Sequence, residues 1–233
     1  MTAEQPTPRL PGDFAQGPLG RLTAGVYWFV VVTALLAVTA FPSVVVLLLL
    51  DRSASNVPVL ALAAVPLGPA LSAALFATRD RVRAEDLAPA RSFWKGYRLN
   101  WADVLRVWVP ALVVLAIIAY VLANAQTAGL GAPYVVVLAV IGFLVAIAAL
   151  HAVAIASIFS FRARDVARLA TFYIFSKPSA TVSVVSLLIV VGGLGTLLSA
   201  LVPLLGGVWV WFWYRGDLRM LDDIEKRFTH QTD

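Results

Sequence analysis

The 233-residue chain has no cysteine, two histidines and two methionines, and only 13% of it is charged. Lacking cysteine, it can form neither disulfides nor thiolate metal sites, and this says nothing about compartment. The common signatures of catalysis are missing too. There is no His-Glu-x-x-His, no Gly-x-Ser-x-Gly, no nucleotide-binding glycine loop and no cluster of metal ligands. Gly192, Gly193 and Gly195 neither follow a strand nor open a phosphate-binding turn. The expectation is a protein that is not an enzyme and needs no cofactor or metal. Charge is also absent from long stretches: Leu22 to Leu50 and Val107 to Phe161 hold no Asp, Glu, Lys or Arg.

What fills those stretches is apolar, 61% of the chain being hydrophobic. A soluble domain carries roughly 25% charged residues, spread along the chain. Here charge is confined to short blocks between runs longer than 20 residues, the pattern of a polytopic membrane protein. The net charge of +5 therefore does not indicate nucleic acid. Basic residues flank the apolar runs, where they orient the chain and meet anionic headgroups.

In order, residues 1–21 are a polar lead-in broken by Pro6, Pro8, Pro11 and Pro18. The transmembrane domain is expected over 22–214, with spans at about 22–50, 57–78, 107–123, 134–160, 178–198 and 201–214. The first run is too long for a signal-peptide core, and Pro42 should kink or end it. Pro66-Leu-Gly-Pro69 marks where the second span bends or starts. Beyond it, Ala64, Gly68 and Ser72 share one face, a packing seam through which helix backbones approach. Gly192, Thr196 and Ser199 suggest another. The uncharged run 107–161 must fold back on itself, and the glycine- and proline-containing stretch 123–133 supplies the break. Residues 162–177 are basic, and their helix should lie along the membrane until Pro178 turns it. The stretch 178–214 is too long to cross once, and a re-entrant loop giving five spans is the alternative to six. Trp209, Trp211, Trp213 and Tyr214 read as an aromatic belt at the inner boundary. Residues 215–233 form a cytoplasmic amphipathic tail with an apolar stripe at Leu218, Leu221, Ile224 and Phe228. The predicted fold is an all-α, six-transmembrane-helix bundle with cytoplasmic interfacial helices and both termini cytoplasmic.

Residues 79–106 hold seven of the 18 Lys and Arg residues and set this orientation. At 100° per residue, Phe93, Tyr97, Trp101, Val104 and Trp108 fall within about 80° of arc. Arg91, Lys95, Arg98 and Arg106 occupy the opposite face. This predicts a helix in the cytoplasmic interface, serving either as an anchor or as a docking surface for a cytoplasmic partner. Asn100 and Asp103 are placed to cap a new helix leading into the third span. His151 is the ionisable residue inside a span, with no Asp or Glu in any span to pair with it. It is either a neutral imidazole bonded to a neighbouring helix or part of a solute path with Tyr120, Asn124 and Gln126. Tyr134 clusters with the latter three around the external loop.

Phe93-Trp-Lys-Gly-Tyr-Arg-Leu-Asn100 resembles the Phe-Phe-(Lys/Arg)-x-Phe-(Lys/Arg)-x-Asn signature of the YesL-like family of bacterial integral membrane proteins, at Phe93, Trp94, Lys95, Tyr97 and Asn100. The run Leu67 to Leu75, the lead-in Gly12 to Arg21 and the hydropathy plan are similar as well, although the link at 43–65 is longer here. The family is itself a domain of unknown function. The resemblance implies an inner-membrane accessory protein, associated with carbohydrate ABC-type uptake and contacting a cytoplasmic or membrane transporter subunit. The chain lacks the Glu-Ala-Ala…Gly loop of ordinary import permeases. Passage of a small neutral solute through the bundle is the alternative function.

Overall fold

A computed structural model describes residues 18–51, 53–83, 88–197 and 204–228. It is helical, with no strand among the described residues. The helices are α1 (Pro18–Leu49), α2 (Val57–Ala63, preceded by a 3₁₀ turn at Ala54–Asn56), α3 (Leu67–Val82), α4 (Pro89–Ala123), α5 (Ala132–Ile158), α6 (Ala163–Ser176), α7 (Pro178–Leu197) and α8 (Gly206–Phe228). Helices α1, α4 and α5 are each long and apolar enough to cross a bilayer. Two bent pairs, α2 with α3 and α6 with α7, raise the number of candidate spans to five if each pair counts as one. The expected span at 201–214 begins on residues outside the described ones.

Helix α3 sits at the centre, in contact with α1, α4, α5 and α8. Its sequence makes this possible, because Ala70, Ala73, Ala74 and Ala77 are fully buried and let neighbouring backbones close in. Gly68 lies under the Trp108 ring, where an added Cβ would stand 2.6 Å from the indole. The Trp108 N–H donates to the Ala64 carbonyl at 3.0 Å. That carbonyl lies at the 40° break between α2 and α3, where Pro66 supplies no N–H to continue the ladder. The third small residue of the seam, Ser72, accepts a hydrogen bond from Ser157 of α5 at 2.9 Å.

Several boundaries differ from those expected. Pro42 does not end α1, which runs through it to Leu49. The helix does not stop at Thr78: α3 runs on to Val82 and carries Arg79, Asp80 and Arg81 as helical residues. There is no new helix start at Asn100, because α4 is continuous from Pro89 to Ala123. Instead the Asn100 side-chain N–H donates to the Ser157 carbonyl at 2.8 Å, satisfying one of the orphan acceptors in the last turn of α5. The expected seam at Gly192 is not packed, since a Cβ there would meet nothing within 4 Å, and Ser199 lies outside the described residues. Trp213 and Tyr214 are buried inside the bundle rather than forming a belt. The bend at Pro178 is present, at 95°.

Candidate functional site

The basic half of α4 separates into two faces as helical geometry requires. Phe93, Gly96, Val104 and Trp108 are buried. Gly96 is needed for this, because an added Cβ would lie 2.6 Å from the Phe76 side chain of α3. Arg91, Lys95, Arg98 and Arg106 all stand exposed on the opposite side. The Lys95 ammonium lies over the Phe76 ring, 5.7 Å from its centroid, and Arg106 pairs with Asp103 one turn before it. One aromatic residue of the expected apolar face departs from it, Trp101 being 51% exposed; Trp94 is 41% exposed.

Continuity of α4 also sets its length. At 1.5 Å per residue its 35 residues span roughly 52 Å, against a hydrocarbon layer of about 30 Å. Its charged residues, Arg91 to Arg106, all lie in the first half, and Pro110 sits inside the helix just beyond them. Other polar contacts gather at the same end. Asp80, 1% exposed, accepts a hydrogen bond from Ser92 across the α3–α4 junction and pairs with Arg79 at 3.1 Å. Arg83 pairs with Glu225 of α8. Tyr173 of α6 donates to Asp223 at 2.7 Å, and Asp223 also meets Lys177 and Arg227. The Tyr173 hydroxyl, with Lys177 and Arg227 beside it, holds the Asp223 carboxyl below the ordinary carboxylate range.

His151 is fully buried on α5, where residues 151–157 are enclosed on all sides. The carboxylate that the spans lack is supplied by α8. Asp217, also fully buried, places Oδ2 3.6 Å from His151 Nδ1 and accepts the Trp213 indole N–H at 2.9 Å. The 3.6 Å separation is an ion-pair distance, longer than a hydrogen bond. Neither His151 nitrogen and not the second Asp217 oxygen has a hydrogen-bond partner among the described residues. Burial pushes the Asp217 carboxyl above its ordinary range, with His151 and the Trp213 N–H opposing. The position is legible in hindsight: Val210, Trp213, Asp217, Met220 and Ile224 fall on one helical stripe, so extending the tail's apolar stripe back one turn places Asp217 inside. Close seating is enforced next door, where a Cβ on Gly216 would overlap Ser183 of α7 at 1.9 Å.

The residues expected to share a solute path with His151 are elsewhere. Tyr120 is half exposed near the end of α4, Asn124 turns its side chain back to the Tyr120 carbonyl at 2.8 Å, and Gln126 is exposed in the following turn. Tyr134, at the start of α5, lies roughly 25 Å from His151 along the helix axis. No group of three or more His, Cys, Asp or Glu side chains able to hold a metal occurs among the described residues.

The described residues are helical, with three to five candidate spans consistent with a membrane protein, an exposed basic face on α4 and a buried acid–imidazole pair. Residues 22–122, which cover α1 to nearly the end of α4, match the family described as a protein of unknown function, DUF624. Comparison with curated proteins and with solved structures gave no match.

Proposed function

We propose that the protein is a partner-binding accessory subunit of a bacterial inner membrane, working with a carbohydrate ABC-type uptake system. In this reading the bundle has six spans, both termini lie on the cytoplasmic side, and the basic end meets an acidic face of a transporter component. The observation that carries it is the outer face of α4. Arg91, Lys95, Arg98 and Arg106 are exposed together on a helix whose other face is packed into the bundle, so they are held in a fixed row. Such a row suits recognition of an acidic surface, where exposed charges raise the association rate and select the partner. The carbohydrate system comes from the resemblance of Phe93 to Asn100 to the YesL-like signature and from nothing in the geometry. A photocrosslinking residue at position 95 or 98, followed by purification from membranes, tests the reading. Capture of a transport component is expected, whereas recovery of lipids and general chaperones alone would refute it. Solute flux in proteoliposomes with a panel of sugars, compared with His151→Ala, tests passage through the bundle itself; flux lost in that variant would favour the transporter reading instead.

A further inference from the structure

We propose that Arg81 binds the phosphate of a membrane phospholipid, with its guanidinium held against α1 at the level of the headgroups. The proposal is independent of the docking role of α4.

Helix α3 ends in cations that helical geometry sends two ways. At 100° per residue, Arg79 and Arg83 lie about 40° apart, and Arg81 stands about 160° from each. The first two meet carboxylates, Arg79 on Asp80 and Arg83 on Glu225. Arg81 turns instead to α1, where its guanidinium carbon lies 4.7 Å from the centroid of the Trp28 ring and 5.4 Å from that of Phe29. Gly25 stands beside it, since a Cβ there would be 3.5 Å from Nη2. These contacts hold the plane of the guanidinium but supply no counter-charge. Helix α1 has none to offer, because Leu22 to Leu50 contains no Asp or Glu.

Arg81 therefore has neither an acidic partner nor a hydrogen-bond acceptor among the described residues, and its Nη1 is buried without one. Stacking on the rings offsets part of the desolvation of the cation. It leaves the N–H donors of an always-charged group unused, which is costly away from bulk water.

The position of Arg81 identifies the missing acceptor. The stretch of α1 able to cross a bilayer is Leu22–Val46. Gly25, Trp28 and Phe29 lie within roughly 10 Å of its start, so Arg81 meets α1 near the edge of the apolar layer, where lipid phosphates stand. A phosphate presents two oxygens spaced for the guanidinium fork, and so supplies charge and acceptors together. Room for the rest of a lipid lies alongside. Leu22, Val26 and Tyr27 are exposed and, with Thr23, line an open apolar hollow. Leu22 and Val26 are within about 60° of Phe29 around α1, so an acyl chain in this hollow begins beside the cation.

The test uses the full chain in detergent, with lipid retention read by native mass spectrometry. The probes are dioleoyl phosphatidylglycerol, dioleoyl glycerol (which lacks the phosphate) and inorganic phosphate. Phosphatidylglycerol should bind about tenfold or more tightly than dioleoyl glycerol, as expected for charge-assisted hydrogen bonds. Arg81→Gln should weaken its binding by a similar factor of about ten, and Arg81→Lys, which keeps the charge without the fork, by less. Arg164→Gln removes an exposed cation of α6 and should change it by no more than about twofold. Equal affinity for the two glycerolipids, or equal weakening in Arg81→Gln and Arg164→Gln, would overturn the proposal. Displacement of the lipid by millimolar inorganic phosphate would also overturn it, assigning the site to a soluble phosphate. A phosphatidylglycerol with a photoreactive headgroup gives an answer that does not depend on how the variants fold. Its adducts on the unchanged chain should map to residues 22–29 and 79–83, and adducts confined to other segments would refute the assignment.

Discussion

The indole of Trp108 lies on the bare backbone of Gly68 and donates its N–H to the carbonyl of Ala64, so one side chain of α4 fixes both the bend between α2 and α3 and the depth at which α3 seats. A glycine is required where a ring of this size meets a helix backbone. Gly68→Ala should cost about 1–3 kcal/mol through overpacking. Gly192→Ala, on an open face of α7, should be neutral or stabilise by about 0.5–1 kcal/mol, since glycine weakens a helix interior. Thermal unfolding in detergent compares the two directly.

Asp80 is buried between Arg79 and the Ser92 hydroxyl. Asp80→Ala removes the acceptor of the buried Ser92 hydroxyl and should destabilise the α3–α4 junction by about 1–3 kcal/mol. Asp80→Asn keeps an oxygen for Ser92 and should cost clearly less. Limited proteolysis near the end of α3, alongside thermal unfolding, would localise the loss to this junction.

Asp223 should give an acid-sensitive contribution to stability. Its folded-state carboxyl is held below the ordinary value, so the contribution is complete above about pH 3.9 and is lost as pH falls through the lower folded-state value. The difference in melting temperature between the unchanged chain and Asp223→Asn should be constant from about pH 5 upward and shrink toward zero in stronger acid. A difference that instead grows on acidification would contradict this assignment.

Charge reversal on α4 should separate binding from folding. Lys95→Glu and Arg98→Glu change exposed positions and should move stability by no more than about 0.5 kcal/mol. The yield of the crosslinked partner should fall at least tenfold. Equal losses of stability and crosslinking would show that the face is structural.

Two residues of the stretch Phe93 to Asn100 have roles that a one-dimensional projection could not assign. Gly96 is the point of closest contact with Phe76, and Asn100 caps α5 through the Ser157 carbonyl instead of starting a helix. The same limit hid Asp217. Read locally, it is an acidic residue beside Arg215 in a charged tail, and only the burial of its stripe inside the bundle brings His151 of α5 within reach.

What the sequence by itself determined is the helical membrane class, the position of most turns and the concentration of positive charge around 79–106. These follow from hydropathy, proline and glycine placement and charge segregation, which are properties of contiguous residues. Tertiary structure alone decided that α3 is central, that α4 runs unbroken from Pro89 to Ala123, and that Ser72 meets Ser157, Asp80 meets Ser92 and His151 meets Asp217. The physical reason is that a buried polar group is stabilised by whichever partner helix packing brings within reach, and those partners are distant in the chain.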